Sequence, residues 1–192
     1  MSQNYYQTHA QTFFDGTVNV DMSSLYLAFT HRLPAHAKVL DAGCGSGRDA
    51  FAFTQMGYQV DAFDASPELV TLAREYSGLP VKQMTFAEVD TKDEYDGIWC
   101  CASLLHVPFV QLPGVMQKLA AALKRKGIWY FSFKYGDSER EKDGRSFTDI
   151  NEERLATLLQ DLPDLEIAEQ WITQDVRPNR DEMWLNVILI RR

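Results

Sequence analysis

Two hydrophobic periods alternate along this chain from residue 37 onward. Short apolar runs typical of buried strands are separated by stretches whose apolar residues recur every three or four positions, as on one face of a helix. The predicted strands are residues 38–41, 58–63, 81–86, 97–101, 128–133, 165–173 and 184–190. The first five are linked by helical crossovers, which predicts a parallel sheet with helices on both faces.

The helical stretches carry start and stop signals. A Ser-Pro-Glu sequence at residues 66–68 combines a capping side chain, a proline suited to the first turn and an acid favoured by the helix dipole. That helix is expected to end near Gly78. A later crossover helix is expected from Pro113 to Gly127, with the basic residues 124–126 as its last turn.

Three segments of the chain depart from this alternation. Residues 1–36 are expected to form two short helices and a lid, and the charged residues 135–148 a loop or flap. Residues 174–183 are too few for a helical crossover, so the last two strands are expected to pair antiparallel. The predicted fold over residues 1–192 is one α/β domain with its sheet core at 37–192. It is Rossmann-like and doubly wound, a mostly parallel seven-stranded sheet with a C-terminal antiparallel hairpin and N-terminal helices.

Composition narrows the classes of partner. The 192 residues are 45% hydrophobic and carry 19 Lys and Arg against 27 Asp and Glu, a net charge of −8. This balance disfavours nucleic acid, because affinity for phosphates scales with the cations presented. No apolar run approaches the roughly 20 residues of a membrane span, and the first ten residues predict no secretory signal. Three cysteines without metal-ligand spacing predict reduced thiols, no metal and a cytoplasmic location. Nothing in the pattern predicts an oligomeric state.

The turn after the first strand is the most informative segment. Gly43, Gly45 and Gly47 stand at alternate positions, and without Cβ atoms they let a ligand approach the backbone. Ligands bind parallel sheets at the carboxyl ends of the strands, and Asp64, which ends the second strand, can accept hydrogen bonds from both hydroxyls of a ribose. The alternatives are an ordinary glycine-rich turn and an aspartate that caps the helix beginning at Ser66. We interpret the pair as a site for a ribose-bearing cofactor.

Two cofactors fit that interpretation. Residues 45–50 satisfy the looser dinucleotide pattern G-x-G-x-x-A, so an NAD-dependent oxidoreductase is one alternative. However, Asp41 and Asp49 would place acidic groups near the pyrophosphate of a dinucleotide. S-adenosylmethionine carries a sulfonium and an ammonium and no phosphate, so acidic neighbours attract it.

The residues from Asp41 to Gly47, with Asp64 ending the next strand, resemble the cofactor site of class I S-adenosylmethionine-dependent methyltransferases. The similarity covers most of the chain and includes residues 6–15, 96–99, 103–107 and 118–127. Within that superfamily the chain most resembles small bacterial methyltransferases of the tellurite-resistance type. The resemblance implies a methyltransferase that binds S-adenosylmethionine and methylates a small molecule.

The resemblance also implies roles at the methionine and ribose end of the cofactor. Asp41 and Gly43 would lie by the methionine part, with the acid orienting its ammonium directly or through water. Gly45 would let the cofactor lie against the backbone, and Asp64 would hold the ribose. Tyr6 would close over the cofactor from the N-terminal segment.

At the adenine end, the resemblance implies that Ala65 packs against the ring and that Thr85 and Phe86 border it. Many relatives have an acidic residue near Thr85 that contacts the adenine amino group. This chain has none there, so backbone groups are expected to replace it. Cys101 and Ala102 would flank the methionine chain.

Methyl transfer from a sulfonium needs mainly alignment and exclusion of water, because the cofactor is already activated. His106, just beyond the fourth strand, is the candidate general base; alternatively it only donates or accepts hydrogen bonds. Further residues expected near the cleft or its aromatic lid are Arg48, Lys134, Tyr135, Arg177, Arg180, Tyr5, Phe13 and Phe14. A module that binds S-adenosylmethionine without turnover is a third alternative.

Overall fold

Nine strands and six α-helices are found in the structure, a computed structural model that describes residues 2–177 and 180–192. The strands are β1 (Lys38–Ala42), β2 (Gln59–Asp64), β3 (Lys82–Gln83), β4 (Tyr95–Cys100), β5 (Leu123–Lys134), β6 (Glu139–Lys142), β7 (Arg145–Thr148), β8 (Leu165–Gln174) and β9 (Met183–Arg191). The helices are α1 (Ser2–Thr17), α2 (Ser23–Thr30), α3 (Arg48–Gln55), α4 (Pro67–Ser77), α5 (Leu112–Ala122) and α6 (Glu152–Leu159). Met1 of the predicted N-terminal segment, and Pro178 and Asn179 of the predicted connection, lie outside the described ranges.

The main sheet has the order β3-β2-β1-β4-β5-β9-β8. Pairing is parallel from β3 to β5, while β9 runs antiparallel to both β5 and β8. The predicted fold class is therefore confirmed, including the C-terminal antiparallel pair. Strand order reverses between β1 and β4, and ligands of such sheets bind in the crevice at that point.

Both faces of the sheet are covered, as its apolar central strands require. Ile98 and Trp129 belong to the cluster that α5 and α6 cover, whereas Trp99 and Tyr130 pack with Phe29 of α2 on the opposite face. All five side chains are fully buried. In this sheet β4 lies between β1 and β5, so the carboxyl ends of the three parallel strands meet at one edge.

The signals for α4 are confirmed. Ser66 caps the helix, accepting a hydrogen bond from Leu69 N at 3.3 Å, and Gly78 ends it at φ 73°. The third strand, expected at residues 81–86, is shorter because only Lys82–Gln83 pairs with β2. The Glu88 carboxylate accepts from both the N–H and the hydroxyl of Thr85 (2.8 and 2.7 Å), which turns the chain into a short 3₁₀ helix.

The end of α5 was predicted wrongly. The helix ends at Ala122, five residues before Gly127, because Leu123 is extended, fully buried and paired with Tyr95. Residues 124–126 therefore begin β5 and are not a helical last turn. Lys124 Nζ lies 2.8 Å from Asp96 Oδ1, an ion pair at the amino end of the sheet.

The segment expected to be a loop or flap at residues 135–148 is instead an antiparallel hairpin of β6 and β7. Its turn is Asp143-Gly144, with φ values of 53° and 73°. Positive φ at both central residues is the geometry that favours Asp-Gly in a tight hairpin. The hairpin lies over the carboxyl ends of the central strands, where it forms one wall of a cavity.

Within the described ranges, no helix combines the length and the apolar character needed to cross a bilayer.

Candidate active site

A cavity of about 650 Å³ opens at the carboxyl ends of β1, β2, β4 and β5. Helix α1 and the β6–β7 hairpin supply further walls. Ten of the eleven residues predicted for the site line it: Tyr6, Gly43, Gly45, Asp64, Ala65, Thr85, Phe86, Cys101, Ala102 and His106. The eleventh, Asp41, is buried beside the cavity.

The glycine-rich turn is shaped by the protein's own packing. Gly43 has φ 76°, and a Cβ there would lie 2.6 Å from Cβ of Ser103. Gly45 has φ 54°, and its Cβ would meet the ring of Phe13 at 3.1 Å. The N–H groups of Gly43 and Cys44 both donate to the carbonyl of Phe63 at 2.9 Å, which ties the turn to β2. Side chains are therefore excluded here, and the backbone forms the cavity floor.

Asp64 joins the two turns that flank this floor. Its Oδ2 accepts from Gly45 N and its Oδ1 from Ser66 N, each at 2.9 Å. Burial raises the pKa of this carboxyl group against the lowering effect of those bonds. An ionised carboxylate has about four acceptor positions, so two stay available to a ligand. The helix itself is capped by Ser66 and not by Asp64, whose bond to Ser66 N lies in the turn before it. The ribose role stays a prediction.

Asp41 is 2% exposed, and its Oδ2 has no hydrogen-bond partner among the described residues. Burial, and then the neighbouring charge of Asp49, raise the pKa of Asp41 well above its usual value. A buried carboxylate oxygen without a donor is costly, so this atom favours a nearby cation or a bridging water. That is the chemistry which an ammonium group of S-adenosylmethionine supplies. The orienting role of Asp41 stays a prediction with this support.

Asp49 lines the cavity, in agreement with its predicted position near the cofactor, but its charge is compensated within the protein. Arg48 donates to its two oxygens from Nε at 2.6 Å and Nη2 at 3.0 Å. Tyr26 Oη and Trp99 Nε1 also donate to this carboxylate, and Arg48 lowers the pKa of Asp49. The Asp49 charge is therefore neutralised in a cluster that joins α2, α3 and β4. Arg48 lines the cavity, as the sequence predicted, and its Nη1 also donates to the carbonyl of Thr17 at 3.3 Å.

The two ends of the predicted cofactor site differ in character. Phe86 packs edge to face on Phe63, with ring centroids 5.4 Å apart, which gives the adenine end an apolar wall. At the methionine end, Ala102 N donates to Ser132 Oγ at 2.9 Å, so the end of β4 is tied to β5. Burial raises the pKa of the Cys101 thiol to about 12, so this group is not a nucleophile at neutral pH.

His106 is held by two hydrogen bonds. Its Nδ1 lies 2.9 Å from the carbonyl oxygen of Ser146, and its Nε2 lies 2.9 Å from Tyr6 Oη. A carbonyl only accepts, so Nδ1 carries the proton and Nε2 accepts from the Tyr6 hydroxyl. Burial, together with the smaller effects of the Arg145 and Lys134 charges, lowers the pKa of His106 to about 4, although the bond to the Ser146 carbonyl acts in the opposite direction. The imidazole is therefore neutral at pH 7.

Basic side chains surround the outer part of the cavity. Lys134 is buried and donates to Glu182 Oε1 at 2.9 Å, and Arg177 donates to Asp175 Oδ2 at 2.6 Å. These two residues line the cavity with Arg180, as the sequence predicted. Tyr135 does not, because it is exposed and donates to Glu152 at 2.9 Å.

Of the three aromatic residues expected to form a lid, only Phe13 lines the cavity. Phe14 packs on Tyr76 with ring centroids 5.7 Å apart, and Tyr5 stacks on His9. Arg145 lines the cavity but was not singled out in the sequence, because its segment was interpreted as a loop. The Asp-Gly pair at residues 143–144 was the signal that could have predicted the hairpin presenting it.

Comparison with known proteins agrees with this geometry. Residues 39–127 match a family model described as a methyltransferase domain. The structure of 1,6-didemethyltoxoflavin-N1-methyltransferase from Burkholderia thailandensis, with bound 1,6-didemethyltoxoflavin and S-adenosylhomocysteine, aligns with a TM-score of 0.78 and 22% identity. The alignment covers 98% of this chain and 84% of that one. The chain has the class I methyltransferase fold.

Two further proteins are similar to this chain, the first in structure and the second in sequence. Magnesium protoporphyrin IX methyltransferase from Synechocystis PCC 6803, with bound S-adenosylmethionine, has a TM-score of 0.67, 23% identity and coverage of 96% and 80%. A ubiquinone biosynthesis O-methyltransferase of Xanthomonas axonopodis pv. citri (strain 306) is 35% identical over 106 residues, which are 52% of this chain. The chain spans less than half of that relative's length, 44%.

Proposed function

We propose that this chain is an S-adenosylmethionine-dependent methyltransferase that transfers a methyl group to a small-molecule acceptor. One observation carries the proposal: a single cavity joins the glycine floor and Asp64 at one end to the Tyr6–His106 pair at the other. The toxoflavin enzyme was crystallised with a small molecule and S-adenosylhomocysteine, which supports both the cofactor and the size class of the acceptor.

The residues present fit the cofactor. Asp64 would hold the ribose hydroxyls, Phe86 would face the adenine, and the unpartnered oxygen of Asp41 would favour the ammonium, directly or through water. Ala65 and Thr85 would border the adenine, and Gly43, Gly45, Cys101 and Ala102 would border the methionine chain. When bound, the sulfonium supplies an activated methyl group and leaves as a neutral thioether.

The chain's own residues would align the acceptor and control its proton. Because Nε2 of His106 accepts from the Tyr6 hydroxyl, an acceptor proton would reach the imidazole through Tyr6. The Tyr6 oxygen would take the proton from the acceptor while its own proton passes to Nε2. The Ser146 carbonyl, which accepts from Nδ1, would stabilise the imidazolium that forms. Helix α1, which carries Tyr6, would exclude water from this end of the cavity.

Narrower parts of the proposal rest on the sequence. The motif resemblance supports an enzyme of the tellurite-resistance type and one domain over residues 1–192. The net charge of −8 supports an acceptor other than nucleic acid. The free thiols of Cys44, Cys100 and Cys101 support a cytoplasmic location.

Thermal unfolding with each cofactor tests the proposal. A ligand at 100 times its Kd stabilises the folded state by about 2.7 kcal/mol, so S-adenosylhomocysteine is expected to raise the Tm and NAD(H) is not. Stabilisation by NAD(H) alone would favour the oxidoreductase alternative and refute the proposal. An assay of S-adenosylhomocysteine release over a panel of acceptors then separates an enzyme from a binding module. Release that depends on an added acceptor is expected.

A further inference from the structure

Arg145, on β7, is a half-buried cation with little compensation. Its guanidinium lies over the rings of Tyr5 and Phe147, 4.4 and 5.2 Å from their centroids. Its Nε has no hydrogen-bond partner among the described residues. The carboxylate that pairs with it most closely is Asp143, at 3.9 Å. The side chain of Arg145 is 15% exposed and that of Asp143 is 64% exposed, so solvent screens this pair.

Three other cations that line the cavity are compensated at shorter range. Arg48 pairs with Asp49 at 2.6 Å, Lys134 with Glu182 at 2.9 Å and Arg177 with Asp175 at 2.6 Å. Arg180 is 3.9 Å from Glu182 and is itself exposed. Among the described residues, Arg145 and Arg180 are therefore the cavity-lining arginines without a close carboxylate, and Arg145 is the less exposed of the two. This is notable in a protein whose net charge is −8, where carboxylates outnumber cations.

Such a cation favours an anionic partner of a particular shape. A guanidinium has its N–H donors in one plane and matches a carboxylate through two parallel hydrogen bonds. The rings of Tyr5 and Phe147 restrict the faces of the Arg145 guanidinium, and its Nε is buried. The Nη edge of the plane, which also acts on the Tyr6 hydroxyl, is left for hydrogen bonding to a ligand. The aromatic residues Tyr6, Phe147 and Trp184 also line the cavity. Tyr6 and Phe147 both pack against His106, and Lys134 lies over the rings of Phe147 and Trp184, so these side chains favour a flat apolar body next to the anion.

We propose that the methyl acceptor is an organic carboxylate with a flat, apolar body, and that its carboxylate is bound by Arg145. This inference rests on the proposed function. It also gives Arg145 a positioning role toward the Tyr6–His106 pair. The charges of Arg145 and Lys134 both lower the pKa of His106, so an anion bound at Arg145 offsets part of that effect. The imidazole then becomes a stronger base when the acceptor is in place.

Benzoate and benzamide are matched probes, because they share shape and differ in charge. Each is titrated by calorimetry into the full-length protein saturated with S-adenosylhomocysteine, at constant ionic strength. We expect benzoate to bind at least about tenfold more tightly than benzamide, which corresponds to about 1.4 kcal/mol. Arg145→Gln should remove that preference, whereas Arg145→Lys should retain part of it.

Arg140→Gln is the control variant. Arg140 lies on the same hairpin and over the same Phe147 ring, but its Nε is bound to Asp149 at 2.7 Å. This variant should keep the preference for benzoate. A further readout is independent of any variant: NMR titration of the His106 imidazole in the wild-type protein should show a higher pKa with benzoate than with benzamide.

Equal binding of the two probes, including no binding of either, would overturn the inference. So would an unchanged preference in Arg145→Gln, or a response to selenite with none to benzoate, which would indicate an inorganic oxyanion. The Tm shift with S-adenosylhomocysteine separates the two levels of proposal. If that shift is absent, the proposed function fails and this inference with it. If it is present without discrimination between the probes, only this inference fails.

Discussion

Replacement of Asp64 tests the cofactor site most directly. Its carboxylate already accepts from Gly45 N and Ser66 N, both at 2.9 Å, which leaves about two acceptor positions for the ribose hydroxyls. A hydrogen bond to a charged group contributes about 1.5–3 kcal/mol. At the lower value, loss of one bond weakens binding about tenfold and loss of both about 100-fold. Asp64→Ala is therefore expected to weaken S-adenosylhomocysteine binding by about 10- to 100-fold.

Calorimetry with S-adenosylhomocysteine measures this loss, and urea unfolding checks that each variant is folded. Asp64→Asn keeps one accepting oxygen, so its loss of affinity should be near the lower limit of about tenfold. Asp61→Asn is the matched control on the same strand, since Asp61 accepts from Tyr95 at 3.0 Å and pairs with Lys38 at 3.2 Å outside the cavity. The affinity of the Asp61→Asn variant for S-adenosylhomocysteine should equal that of the wild type. A folded Asp64→Ala variant with unchanged affinity would refute the ribose assignment.

Three predictions concern stability and are checked by urea unfolding. Because burial lowers the pKa of His106 to about 4, below the value of about 6.5 in the unfolded chain, the unfolded state binds the proton first. The free energy of unfolding should therefore fall as the pH drops from about 6.5 to about 4, and less steeply in His106→Gln; parallel pH profiles would contradict this. Asp49→Ala should lower the free energy of unfolding by about 3–5 kcal/mol, because it leaves the buried Arg48 charge unpaired. A loss below about 1 kcal/mol would refute that account. Gly43→Ala should lower the free energy of unfolding by about 1–3 kcal/mol more than Gly57→Ala. Both glycines have positive φ, but only a Cβ at Gly43 would clash, at 2.6 Å from Ser103. Equal losses of stability in the two variants would refute this steric reason.

Local signals in the sequence were sufficient to predict those structural features in which a residue acts on its own neighbours. The capping serine at Ser66 and the left-handed glycine at Gly78 fixed the ends of α4. The long apolar run of β5 predicted a strand covered on both faces, and the short connection before β9 predicted antiparallel pairing. These features depend on backbone geometry within a few residues.

Long-range contacts decided features that local signals did not indicate. Gly127 is a plausible helix end, yet α5 stops at Ala122 because Leu123 is buried against β4. Asp49 was interpreted from its position in the first turn of α3. Its partners Tyr26 and Trp99 come from elements 23 and 50 residues away, and no local pattern indicates them.

The sequence by itself determined the succession of main-sheet strands and helices along the chain, the glycine floor and the acid that ends β2, because period, caps and turn residues act locally. Only the tertiary structure decided which charges are neutralised. Arg48 and Arg145 each have an aspartate within two positions of the sequence, but elements far apart in the chain decide whether that aspartate is buried beside the cation, as Tyr26 and Trp99 do for Asp49. Arg48 and Arg145 look alike in the sequence, and packing gives one a buried partner at 2.6 Å and the other an exposed one at 3.9 Å.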